Sequence, residues 1–218
     1  MTKTSSPIVA FPESFINSES ALRHEQIMWM HNIGSERRYL CTNYPLMPTR
    51  YICDTEHYNE VIARCASVKS YLWIGTADIK DLHVKVGSDS LPFLAVLAKL
   101  IRKGVGVRLL HAKEPGPVFR EEFDRHPSLF TGLERALCPR VHFKIFVFDG
   151  KEAYIGSANL TGAGMGMKSG RRRNFEAGIL TDDPALVAAA MDHFDSVWAG
   201  FRCRDCGRKE YCGDPIIK

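Results

Sequence analysis

Around Lys144 the chain gathers five aromatic or β-branched residues, Phe143, Ile145, Phe146, Val147 and Phe148. Side chains of this kind at this density predict a buried strand over 142–148. His142 and Lys144 lie two apart, so a strand turns both side chains to one face. Asp149-Gly150 ends the run with turn chemistry. A second strand is predicted over 153–157, carrying Gly156-Ser157-Ala158-Asn159 with it. An imidazole and an ammonium on one face, with a hydroxyl and a carboxamide on the next segment, make a site for a phosphate group. Lys144 supplies charge, Ser157 and Asn159 supply hydrogen bonds, and His142 serves as nucleophile or proton carrier.

The spacing H-x-K-x4-D-x6-G-S-x-N resembles the signature of the phospholipase D superfamily. The segment VHFKIFVFDGKEAYIGSANLTGAG is similar to it almost position for position, and Asn174-Phe175-Glu176 resembles the N-x-E that ends the motif. The strong resemblance covers about residues 135 to 200; a weaker one, in strand and helix order, reaches back to about residue 50. The resemblance implies that His142 attacks phosphorus and forms a covalent phosphohistidine. Lys144 and Asn159 would then neutralise the non-bridging oxygens, with Ser157 hydrogen-bonded in the same layer. Glu176 resembles the carboxylate that orients the imidazole, as the third member of a triad does. Asp149 belongs to the motif as well, although its turn chemistry suits a cap better than a reacting group. No catalytic metal is required, because Lys144 and Asn159 supply the electrophilic work that a cation does elsewhere.

The rest of the chain predicts helices over about 20–33, 56–67, 91–103, 118–125 and 184–199. Strands are predicted over 70–75, 105–111 and 175–180. Strands alternating with helices imply an α/β fold, a mixed sheet covered by helices on both faces, which is also what the phospholipase D resemblance implies. Residues 1–45 read as an irregular extension, 46–200 as the catalytic domain and 201–218 as a cysteine-rich tail. The length of 218 residues and a hydrophobic content of 45% suffice for one full core.

Members of the superfamily work with two H-x-K motifs that face each other. The only other candidate here, His83-Val84-Lys85, is followed at once by Gly87-Ser88 without an intervening strand or an Asn, and reads as a short exposed strand and loop. A single motif implies a homodimer whose two-fold axis brings both His142 side chains into one shared site. Lys168, Arg171, Arg172 and Arg173 lie between the G-S-x-N and N-x-E segments, at the rim of that site. Such cations suit a polyanionic backbone, or else form a solvated loop. Single-motif dimeric members include non-specific nucleases, so DNA or RNA is the expected substrate. A lipid hydrolase or transphosphatidylase acting on phospholipid is the alternative, and a catalytically silent binding module a second one.

The net charge of +4 leans weakly towards an anionic partner. The apolar patch after Pro7 is too short for a signal-peptide core, and the run from Leu91 to Ile101 is broken by Lys99, so neither a leader nor a membrane span is expected. The expected location is therefore the cytoplasm, where seven cysteines would stay reduced. Cys203, Cys206 and Cys212 form a C-x2-C-x5-C run in a polar tail. Metal ligation is the expected role, with Cys138 favoured as the fourth ligand over Cys53 and Cys41. The spacing suits structural zinc and a [4Fe–4S] cluster equally.

Overall fold

The computed structural model describes residues 49–80, 82–86 and 88–213. The expectations for residues 1–45, Cys41 included, lie outside the described residues. Among the described residues nine strands follow one another: β1 (Thr49–Cys53), β2 (Tyr71–Thr76), β3 (His83–Val86), β4 (Asp89–Pro92), β5 (Gly106–His111), β6 (Leu133–Leu137), β7 (Lys144–Phe148), β8 (Glu152–Gly156) and β9 (Ala177–Thr181). A π-helical turn His57–Ile62 runs into α1 (Ala63–Cys65), followed by α2 (Phe93–Arg102), α3 (Pro117–Asp124), α4 (Pro127–Gly132) and α5 (Pro184–Trp198). No helix among the described residues is long and apolar enough to cross a membrane.

Seven strands make one mixed sheet in the order β1-β9-β8-β7-β2-β5-β6, and β3 and β4 pair separately. β2, β5 and β6 are parallel, joined through α2 and then through α3 and α4. β2 pairs antiparallel with β7, and β7, β8, β9 and β1 continue antiparallel. All five residues of β7 are buried, as a central strand covered on both sides requires. Phe146 and Phe148 pack into the large core with α1, α2, α3 and α4, whereas Ile145 and Val147 meet Val187 and Ala190 of α5 on the other face. The period of two in β7 thus separates the two helical layers.

Several boundaries differ from the sequence expectation. The strand expected over 142–148 begins at Lys144, so His142 precedes the ladder. Ser157 and Glu176 likewise lie just outside β8 and β9. Leu91 belongs to β4 rather than to the following helix, because Val84 pairs with it in a hairpin. That hairpin also absorbs the His83-Val84-Lys85 triplet, with His83 and Lys85 exposed and Val84 buried. The segment 127–137, for which no regular element is expected, forms α4 and the edge strand β6.

Candidate active site

The polar residues of the motif collect at one end of the sheet. The register sets Lys144 opposite Gly156 and Gly75 opposite Ile145, so the start of β7 lies beside the ends of β8 and β2. Ser157 continues the ladder by donating its N–H to the Ala177 carbonyl at 2.9 Å. This is the carboxyl end of the parallel strands β2 and β5, the edge at which open α/β sheets form ligand crevices. Phe143 can reach its place before β7 because Gly75 has no side chain; a Cβ there would overlap the Phe143 ring.

His142 is exposed, and among the described residues its ring has no hydrogen-bond partner. Lys144 is only 5% exposed and donates from Nζ to the His142 carbonyl at 2.6 Å. Burial holds the Lys144 ammonium below the ordinary lysine range, and the negative charge of Glu176 offsets part of that shift. Asn159 is half-buried. Its Oδ1 accepts from the Asp78 N–H at 3.1 Å, with the Thr76 hydroxyl oxygen 3.5 Å away. With the carbonyl side so engaged, the carboxamide offers its N–H donors to a ligand. Thr76 is fixed in turn, donating to the Asp78 carbonyl at 2.8 Å and accepting from Leu160 N–H at 3.0 Å.

Glu176 differs from expectation. Its two oxygens are taken by the Ser157 hydroxyl and by Asn174 Nδ2 (2.9 Å), and among the described residues no bond joins it to the His142 ring. Ser157 Oγ also accepts from the Ala177 N–H at 3.1 Å, so the hydroxyl bridges strand and carboxylate. Asp149 lies at the opposite end of β7, about 17 Å along the strand from Lys144. At φ +53 it starts the turn with Gly150 at φ +65, and its carboxylate accepts from the backbone N–H groups of Lys69, Ser70 and Tyr71. This placement separates Asp149 from the polar cluster and gives it the cap role that its turn chemistry suggests. Thr76 and Asp78 escape sequence reasoning as parts of the site, whereas Asn174, which binds Glu176, opens the N-x-E segment that the sequence singles out.

Lys168, Arg171 and Arg172 are exposed and Arg173 half-buried in the loop between β8 and β9; none of the four forms an ion pair among the described residues. The loop is shaped by backbone bonds, Arg172 and Arg173 N–H both donating to the Ser169 carbonyl and Asn174 N–H to that of Ala163. The cysteines of the tail stand elsewhere. Cys138, Cys203, Cys206 and Cys212 line one pocket, while Cys53 lies in β1. The Cys206 thiol is drawn below its ordinary pKa by the Arg208 backbone N–H and by Arg140. Among the described residues no three His, Cys, Asp or Glu side chains are set to hold a metal ion.

The sequence model of the Cardiolipin synthase, PLD-like domain matches residues 61–198, more than half of the chain. No curated protein matches it. Among solved structures, NucT from Helicobacter pylori is similar at a TM-score of 0.51 and 13% identity, with 69% of this chain and 96% of that one covered. The phospholipase D family member Nuc from Salmonella typhimurium is similar at a TM-score of 0.51 and 15% identity, with 69% and 93% covered. At these identities the likeness is one of fold. Matched by the family model over both helical layers and all but one strand of the large sheet, the chain belongs to the PLD-like phosphodiesterases of the phospholipase D superfamily.

Proposed function

We infer that the chain is a phosphodiesterase acting on nucleic acid as a homodimer, through a phosphohistidine on His142. The observation that carries the chemistry is an exposed imidazole beside a buried lysine, with the Asn159 carboxamide held by backbone at the same sheet end. A ring nitrogen of one His142 attacks phosphorus. The bond to the leaving oxygen breaks, and that oxygen takes a proton from the partner's His142. The partner's His142, now neutral, removes a proton from water; the water oxygen displaces the histidine from phosphorus and restores the first imidazole. Lys144 and Asn159 face the charge that grows on the non-bridging oxygens. Glu176 bears on Lys144 through its charge and on the strand end through Ser157. The step needs no metal, since these side chains carry the electrophilic role.

Nucleic acid is favoured by the unpaired cations of the 168–173 loop, which suit a phosphate backbone. Phe175, 94% exposed beside Glu176, offers a ring on which a base can stack. The described cysteines are free thiols, which fits the reducing cytoplasm.

The test is cleavage of single-stranded DNA, RNA, duplex DNA and phosphatidylcholine with EDTA present. Expected is cleavage of nucleic acid. Cleavage of phosphatidylcholine alone would make the chain a lipid hydrolase, and binding without turnover would make it a silent module. Loss in EDTA that Mg²⁺ restores would remove the metal-free mechanism.

A further inference from the structure

We propose that Cys138, Cys203, Cys206 and Cys212 form a four-thiolate site for a single structural zinc ion, which fastens the C-terminal segment to the turn that carries His142. Four of the six described cysteines line one pocket, and they come from two segments more than sixty residues apart. Free cysteines placed by packing alone would scatter through the core, as Cys65 does in α1. Here three follow one another in the tail, and the fourth caps β6, where its N–H donates to the His111 carbonyl at 2.8 Å.

The backbone already has the form of a ligand loop. Cys206 N–H turns back to the Cys203 carbonyl at 3.3 Å, and a 3-10 turn over Lys209–Tyr211 returns the chain so that Cys212 Sγ reaches the Leu137 carbonyl at 3.9 Å. The charges are suitable as well. Four thiolates around Zn²⁺ carry a net charge of two minus, and Arg140 and Lys209 line the same pocket, Arg140 Nη1 lying 3.7 Å from Cys206 Sγ. The cavity they line, about 20 Å³, has room for one ion. Among the described residues the thiols as placed are not set to hold a metal ion, so binding requires them to turn inward with loss of their protons.

Packing gives the tail little to hold it. None of the described residues from Phe201 to Gly213 is buried, and Phe201 and Tyr211 are 74% and 61% exposed. Ligand bonds supply the missing attachment. The site adjoins catalysis without taking part in it: the Cys138 carbonyl accepts the Val141 N–H at 2.9 Å, and His142 follows Val141.

The experiment is elemental analysis of the full chain, with cobalt(II) substitution. About one zinc per chain is expected, replaced by cobalt with the intense visible bands of tetrahedral thiolate ligation. Cys53→Ser should keep the metal, and Cys206→Ser and Cys138→Ser should lose it. Because Cys138 also touches the core, the Cys206 variant is decisive, with circular dichroism confirming its fold. Chelator treatment should make residues 201–212 the first site of proteolysis. Full zinc content in both variants overturns the proposal, as does iron with sulfide in place of zinc, or metal-free native protein with all its thiols titratable. The outcome is independent of the phosphodiesterase reading, since it is read from metal and not from turnover.

Discussion

Lys144 donates a 2.6 Å hydrogen bond to the backbone carbonyl of His142, so the buried ammonium is tied to the segment that carries the exposed imidazole. Lys144→Met removes both the tie and the charge, and kcat should fall on the order of 10²–10³-fold. Burial also lowers the Lys144 pKa, so the ammonium loses its proton at a lower pH than an ordinary lysine does. Activity should therefore decline on the alkaline side earlier than an ordinary lysine would permit. An alkaline limb of the kcat profile no earlier than an ordinary lysine would give excludes this role.

His142→Asn should abolish turnover and leave the fold unchanged, because the ring is exposed and has no protein partner among the described residues. Circular dichroism and a steady-state assay check both halves. The shared site adds a second expectation, a dimer by light scattering. Full activity in a monomeric preparation would contradict it.

Asp149 makes a prediction about stability and not rate. Burial alone would raise its pKa, but the N–H groups of Ser70, Lys69 and Tyr71, with Lys151 nearby, hold it below the ordinary carboxylate value. A carboxylate whose folded pKa is depressed stabilises fully above its unfolded pKa, about 3.9, and loses that contribution as pH falls through the folded value. Asp149→Asn should cost about 1–2 kcal/mol at pH 7, after discounting for partial exposure, and almost nothing once the pH is well below the folded pKa. Urea unfolding at several pH values measures the difference.

Replacing Arg171, Arg172 and Arg173 together with Gln should weaken binding of duplex DNA uniformly across sequences. The slope of log K against log salt should become shallower by about 0.9 for each phosphate that is no longer neutralised. Filter binding at a series of salt concentrations reads the slope, and an unchanged slope would reduce the loop to a solvated surface.

The strands that carry the motif are legible in the sequence because their chemistry is local. β7 announces itself through Ile145 to Phe148, and α2 through its apolar face and Gly104. The edge strand β6 does not, since Leu133–Leu137 carries Glu134 and Arg135 and draws its order from Val107 to His111 of β5. Spacing is enough to name the candidate catalytic residues, but not their supports. Thr76 and Asp78 hold Asn159 through contacts more than eighty residues away in sequence, which no window along the chain contains. The far placement of Asp149 escapes for the same reason, its ligands being the backbone of Lys69 to Tyr71.

The clasp of Asn159 by Asp78 N–H has a kinetic consequence. A contact of such sequence separation forms late, after the loop entropy between β2 and β8 has been spent. Secondary structure can accumulate during synthesis or refolding while the carboxamide still swings freely. Cleaving power should then appear only with the last long-range pairings, lagging behind the helical signal. A cell making such an enzyme would be spared a half-finished chain that already cuts.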